Sequence, residues 1–243
     1  MRIDLTLAAG AALVAVACGP KFRTDDFPNP HALAEAAVTA ANAGECGGAM
    51  PALRRVMFEL PPRDTLVPMI RFAIGSCHLR TGEYLEGSRQ YRRVADDFPT
   101  HGLAALSLVR SGDALAQLWR RPELDPTYGE SAMATYREVL ARFPSTAAAD
   151  SARASLLRLS EMFAEKEFKN AEYYLRIRAY DSAISYFRSV VANYPQTSHA
   201  PLAMLKLIEI FDRLGFAEER EDACTYLRRF HPAEHGVGDA CPA

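Results

Sequence analysis

The 243-residue chain sets 28 lysines and arginines against 30 aspartates and glutamates, a formal net charge of −2 with no basic stripe to neutralise a phosphate backbone. That balance argues against a nucleic-acid partner. The absence of a glycine-rich phosphate loop, a nucleophile elbow and a paired-cysteine metal motif removes the common sequence signals of catalysis, and no cofactor or metal is expected.

The chain opens with Arg2 ahead of a short apolar run over residues 5–17, which is of signal-peptide length and too brief to span a bilayer. The run ends in Ala15-Val16-Ala17-Cys18, which resembles the lipobox of bacterial lipoproteins. That resemblance implies that residues 1–17 are a cleaved signal and that Cys18 becomes the lipidated N-terminus. Gly19 stands next, where an aspartate would favour the inner membrane, so the outer membrane is the expected address. An ordinary signal peptide or an unstructured end is the alternative. Residues 18–30, with Pro20, Pro28 and Pro30, read as an extended tether. Beyond them, residues 31–235 read as one elongated domain and 236–243 as a C-terminal tail.

Within that domain a turn residue is followed 17 positions later by proline five times: Gly44 and Pro61, Gly82 and Pro99, Thr127 and Pro144, Arg178 and Pro195, Gly215 and Pro232. Such an interval marks stacked helical units that bury their apolar faces only against their neighbours. Twelve residues before the first four prolines stands a small residue (Ala49, Gly87, Ala132, Ala183). Eight before stands a large one (Leu53, Tyr91, Tyr136, Phe187) and five before a valine (Val56, Val94, Val139, Val190). This is packing at the 3.6-residue period, and the proline then ends each helix. Gly75, Gly82, Tyr84, Gly87, Tyr91 and Pro99 match the tetratricopeptide pattern, so the expected fold is an all-α, tetratricopeptide-type solenoid of about five helix pairs. The fifth unit departs, with Arg220 at the small position and one extra residue in Phe230-His231-Pro232, as a C-terminal cap would.

The spacing between units is uneven. An exposed loop is expected around Arg120-Arg121-Pro122-Glu123-Leu124, followed by Asp125 as N-cap and Pro126 in the first turn of the next helix. Residues 145–178 hold neither glycine nor proline, which predicts one helix over 146–177, about 45 Å long.

Four cysteines follow Cys18, and an exported chain meets an oxidising compartment. Three pairings are possible; the local one joins Cys46 to Cys77 and Cys224 to Cys241, with free thiols on packed faces as the alternative.

Asp125-Pro126, Phe143-Pro144-Ser145, Phe163-Ala164-Glu165-Lys166-Glu167 within the long helix, Ala171-Glu172-Tyr173-Tyr174, Tyr194-Pro195-Gln196-Thr197 and Ala203-Met204 together resemble the BamD family. The likeness covers residues 82–232, with the lipobox at the other end. It implies a scaffold lipoprotein of the outer membrane, facing the periplasm, within the machinery that assembles β-barrel proteins. The implied partners are the periplasmic domains of the central barrel subunit, other lipoproteins of that machinery, and unfolded outer-membrane proteins. An envelope tetratricopeptide adaptor serving peptidoglycan or secretion machinery is the competing reading.

Two surfaces are candidates for those contacts. Met69, Phe72, Ser76 and Arg80 occupy the positions that line a tetratricopeptide groove, where apolar side chains beside one guanidinium suit a segment ending in a carboxylate. The same residues serve equally as contacts to the next unit. The Lys and Asn clamp of chaperone-binding repeats is missing there, which disfavours a cytosolic chaperone adaptor. Asp212, Arg213, Glu218 and Glu219 in the fifth unit are candidates for partner docking, against the plain alternative of a solvated helix face. His231-Pro232-Ala233-Glu234-His235 matches the order of one metallopeptidase motif, but Pro232 spoils the helical spacing that zinc needs, so no enzyme is expected.

Overall fold

A computed structural model describes residues 26–242; the expected signal, Cys18 and most of the tether lie outside them. Among the described residues every regular element is helical. Five helix pairs follow one another: α1 (Pro30–Asn42) with α2 (Cys46–Glu59), α3 (Val67–Arg80) with α4 (Tyr84–Asp97), α5 (Ala104–Ala116) with α6 (Thr127–Arg142), α7 (Ala147–Arg176) with α8 (Tyr180–Asn193), and α9 (His199–Leu214) with α10 (Ala217–Phe230). A single turn, α11 (Val237–Ala240), closes the chain within the expected tail. No helix among the described residues is long and apolar enough to cross a membrane.

The small–large–valine series is the inner face of each second helix. Ala49, Leu53 and Val56 on α2, Ala132, Tyr136 and Val139 on α6, and Ala183, Phe187 and Val190 on α8 are all buried. The first helices answer with glycine where a ring must come close. A Cβ at Gly75 would lie 3.0 Å from the Tyr91 ring, and one at Gly112 would lie 2.7 Å from the Tyr136 ring. In the fifth pair Cys224 and Leu227 take the large and branched positions and are buried, while Arg220 is only half-buried. Its helix ends at Phe230, two residues before Pro232, just as Glu59, Asp97, Arg142 and Asn193 stand two before theirs. The extra residue expected in that unit is therefore corrected: the spacing is regular, and only the aromatic has moved one place into the helix.

Four of the five turn residues do what the interval implies. Gly44, Gly82, Gly215 and Arg178 have φ of 97°, 79°, 74° and 62°, the left-handed conformation that reverses the chain after a helix. Arg178 holds it despite a side chain, at a cost of about 1–3 kcal/mol. Thr127 does not: it is the first residue of α6, because the third pair is joined by a ten-residue loop, 117–126. Asp125 is likewise one residue further out than expected, with Pro126 as the cap residue and the Asp125 carboxylate accepting from the Thr127 amide at 2.9 Å.

The long helix runs from a Thr146 cap to Ile177, and its 30 residues span about 45 Å. It belongs to two cores. Ala152, Leu159 and Phe163 pack in the middle cluster with Trp119 and Tyr136, while Ala164 and Ala171 pack in the C-terminal cluster with Phe187 and Phe211. A third, N-terminal cluster is thinner: six of its fourteen buried members are alanine, and none is aromatic. Cys46 at the start of α2 is bonded to Cys77 on α3 across this cluster, with Cα atoms 5.4 Å apart, and Cys224 to Cys241 beside α11.

Closing a loop with 31 residues of separation is worth about 2–4 kcal/mol. Replacing Cys46 and Cys77 by alanine should lower stability by that amount, with the first helices melting ahead of the rest in a urea titration followed by circular dichroism and hydrogen exchange. A variant indistinguishable from the parent would show that the alanine core suffices.

Candidate functional site: a cleft across the inner helices

The first helices of successive pairs line one face of the array, and on it α3, α5 and α7 enclose a cleft of about 550 Å³. Leu79, Leu159 and Met162 supply its apolar walls, and Arg110, Asp113 and Arg158 its charges. Arg110 stands 3.6 Å from Asp113, one helical turn away. The Asp113 carboxylate also accepts from the Tyr136 hydroxyl at 2.8 Å. That phenol is 1% exposed, and burial, then Asp113, pushes its pKa far above the ordinary tyrosine value, so it stays a neutral donor. Arg158 donates to Ser155 at 2.7 Å and spends no charge on a carboxylate among the described residues. Two guanidiniums over an apolar floor, with Asp113 already bonded to Tyr136, suit a ligand that brings one carboxylate and apolar surface.

The rim of the cleft is the 117–126 loop, and α7 holds it down. Lys166 donates to the carbonyls of Pro122 and Leu124 at 2.9 and 3.1 Å. Lys169 pairs with Glu123 at 2.7 Å and with Glu165 at 2.6 Å. Trp119, 1% exposed, turns inward to face Phe163 at 4.3 Å and donates its indole N–H to the Leu124 carbonyl at 3.3 Å. Arg120 reaches the other way, bonding the Tyr84 hydroxyl at 2.9 Å. The loop thus straps α4 to α7, and Arg120 lies in the cleft wall.

The groove residues expected from sequence share one stripe of α3, but Phe72 and Ser76 are already engaged within their own pair. Phe72 sets its edge on Tyr91 at 5.1 Å, and Ser76 shares a hydrogen bond with the Tyr91 hydroxyl at 2.9 Å. Met69 is half-buried beside them. Arg80 is exposed at the end of α3, its guanidinium against Gly44 of the preceding turn. None of the four lines the cleft, yet their stripe continues through Leu79, which does. The sequence marks Tyr136 only as the large residue of its unit and gives no sign of Arg110, Asp113 or Arg158, because only the stacking of three helices assembles them.

The four docking candidates do not form one cluster. Asp212 pairs with Arg220 at 3.4 Å, while Arg213 turns to Glu209 at 3.3 Å and to the Tyr180 hydroxyl at 3.4 Å. Glu219 lines a shallow groove of about 430 Å³ with Arg188 and Phe216, and Glu218 is exposed in the first turn of α10. Residues 231–235 form turns rather than a helix, so the metallopeptidase order has no helical geometry behind it. The scattered histidines stand at helix joints: His31 with Asp64 at 2.9 Å, His199 with Glu161 at 3.4 Å, His78 with Glu83, and His101 accepting from the Leu103 amide at 3.1 Å. Among the described residues no group of His, Cys, Asp and Glu could hold a metal ion.

A family model described as an outer membrane lipoprotein, YfiO, matches residues 29–226. Relatives called outer membrane protein assembly factor BamD are similar over shorter stretches. The Caulobacter vibrioides protein is 30% identical over 166 residues, covering 68% of this chain and 54% of its own. The Vibrio cholerae protein is 28% identical over 101 residues, 42% of each chain, and the Rickettsia prowazekii protein 26% over 98 residues, 40% of this chain and 39% of its own. The chain thus spans about half or less of the length of the relatives it matches. A solved thermophilic TPR protein of Thermus thermophilus covers 86% of this chain and 95% of its own at 15% identity, with a TM-score of 0.39.

Two outcomes follow for the strapped loop. Lys166→Met should cost about 1–3 kcal/mol, since two carbonyls lose a charged donor, and should redden the emission of Trp119, the sole tryptophan. The pKa of Glu123 is lowered, first by the hydrogen bond from Lys169. A depressed carboxylate contributes stability above its unfolded pKa of about 4 and loses it as pH falls through the folded value. The Trp119 signal should therefore change below about pH 4, and less so in Lys169→Met; equal acid responses in the two proteins would refute the latch.

Proposed function

The chain belongs to this family of outer membrane lipoproteins, and from that premise we propose that it is a lipid-anchored, periplasm-facing scaffold subunit of the machinery that assembles β-barrel proteins in the outer membrane. The match across residues 29–226 carries the reading, supported by relatives that bear the assembly-factor name. The role is binding. A stack of helix pairs presents a long inner face, while a lipid on Cys18 would raise the chain's effective concentration beside partners at the membrane.

The inner face supplies the place for an unfolded barrel protein. An extended apolar segment laid along Met69, Phe72 and Ser76 runs on through Leu79 into the cleft, where Arg110 and Arg158 meet its terminal carboxylate. The fifth pair, with Asp212, Arg213, Glu218 and Glu219, takes the periplasmic domains of the central barrel subunit; rim charges of this kind steer and orient the encounter.

Purification from detergent-extracted outer membranes through a C-terminal tag, followed by mass spectrometry, should recover a large barrel protein with periplasmic repeat domains. Recovery with peptidoglycan-binding or secretion partners instead would establish the adaptor reading. For the cleft, Arg110→Glu with Arg158→Glu should weaken binding of a peptide from the C-terminus of a barrel protein by about tenfold or more, since each guanidinium–carboxylate bond is worth about 1.5–3 kcal/mol. An unchanged affinity in fluorescence anisotropy would place the substrate elsewhere.

A further inference from the structure

The cleft carries more positive charge than one carboxylate neutralises. Three guanidiniums line it, Arg110, Arg120 and Arg158, against the single carboxylate of Asp113, so a ligand that brings only its terminal carboxylate leaves one positive charge in excess. With Asp113 standing 3.6 Å from Arg110, the excess lies on Arg158 and Arg120. The acids that flank the lining residues in sequence are engaged elsewhere: Glu83 with His78, Glu161 with Ser198 and His199, Glu165 with Lys169. Two other grooves of the array carry no such excess. The one at Asp181, Arg188 and Glu219 is acidic, and the one at Glu130, Arg137, Lys166 and Glu167 is balanced.

Arg120 is set apart from the other two because the strap, not a helix, delivers it. Its Nε donates to the Gln117 carbonyl at 3.0 Å and its Nη2 to the Tyr84 hydroxyl at 2.9 Å, with the guanidinium over the Tyr84 ring at 5.5 Å from the centroid. These contacts hold the fork at the cleft wall but do not take up its charge, and Arg120 forms no ion pair among the described residues. A guanidinium already held in place loses little freedom when a carboxylate arrives. We propose that Arg120 is a specificity-determining residue of the cleft. It reads a second carboxylate, the side chain of an aspartate or glutamate close to the C-terminal end of the bound segment, and Tyr84 is its positioning residue. This rests on the cleft being the site of an extended segment, as proposed above, and adds which segments that site prefers.

Short synthetic peptides with a free C-terminus test it, apolar except for one glutamate placed in turn at successive positions before the terminal residue. Each is compared with its glutamine counterpart by fluorescence anisotropy on the full chain in detergent. At one position the glutamate peptide should bind about fivefold tighter, the upper end for an ion pair at a solvent-exposed rim. Arg120→Gln should abolish that preference while leaving the glutamine peptide within about twofold, and Arg120→Lys, which keeps the charge, should retain it. Tyr84→Phe should reduce the preference in the parent and change nothing in the Arg120→Gln background, the coupling expected of a residue that acts through another. Unchanged emission from Trp119, next in the chain, checks that the strap is intact in each variant. Equal binding of glutamate and glutamine peptides at every position, a preference that survives Arg120→Gln, or a Tyr84→Phe loss that persists without Arg120 would overturn the proposal. Binding of none of the peptides would overturn it together with the cleft as a peptide site. A glutamate preference in a chain that recovers no barrel subunit would sink the assembly reading alone.

Discussion

The stack of Trp119, Phe163 and Tyr194 holds the two halves of the molecule in one frame. Phe163 faces Trp119 at 4.3 Å and lies parallel to Tyr194 at 6.2 Å, so one side chain of α7 touches the loop before α6 on one side and the end of α8 on the other. Each ring buries area of the order of 150–250 Å², which no alanine-lined contact in the first pair approaches. Trp119 also needs room, and Gly129 provides it, since a Cβ there would collide with the indole. The strap, the Arg120 wall of the cleft and the register of α7 against α5 all follow from where this stack sits. The repeats are periodic, but their junction is not: a loop of ten residues and a helix of 30 are both local exceptions, and they meet at Phe163.

Away from that junction the stabilising devices change in kind. A solenoid's ends lack a neighbour on one side, so their cores are the hardest to close. Here each end carries a disulfide. The N-terminal cluster, with its alanines, permits close helix approach but offers little area per residue, and Cys46–Cys77 ties its first pair to the second. At the other end Cys224 fills the position held by Tyr91, Tyr136 and Phe187 in earlier pairs, and its bond to Cys241 brings Val237 down on the same cluster. The covalent links thus stand at the two ends of the array, and the aromatic stack at its middle.

What the sequence made legible was the part that repeats or is capped locally. Thr146 and Ile177 bound α7 because the chain between them holds no breaker, and Gly44, Gly82 and Gly215 turn because only a residue tolerant of positive φ fits there. Thr127 is no turn residue because the connection before α6 is a loop built around a buried tryptophan. The inward turn of Trp119 left no mark on the local pattern; its partners are Phe163, 44 residues on, and Gly129. The cleft was invisible for the same reason, since Arg110 and Arg158 sit on separate helices with ordinary amphipathic neighbours. The α3 stripe was legible as a stripe, but its occupation by Tyr91 was not, because that depends on how closely Gly75 lets α4 approach.

The long helix also sets what the cleft and the far end of α7 can do to one another. Arg158 lies in the cleft and Arg176 at that far end, 18 residues apart on α7 and so about 27 Å along its axis. No glycine or proline interrupts that length, and its two halves pack in separate cores, so the helix offers no hinge between them. A ligand in the cleft therefore cannot be felt at the far end through bending of α7. It can be felt only through the strap, whose Lys166 and Lys169 anchors lie between the two. With those anchors in place, changes at Arg158 and at Arg176 should act on stability additively, as sites more than about 10 Å apart with no shared partner do.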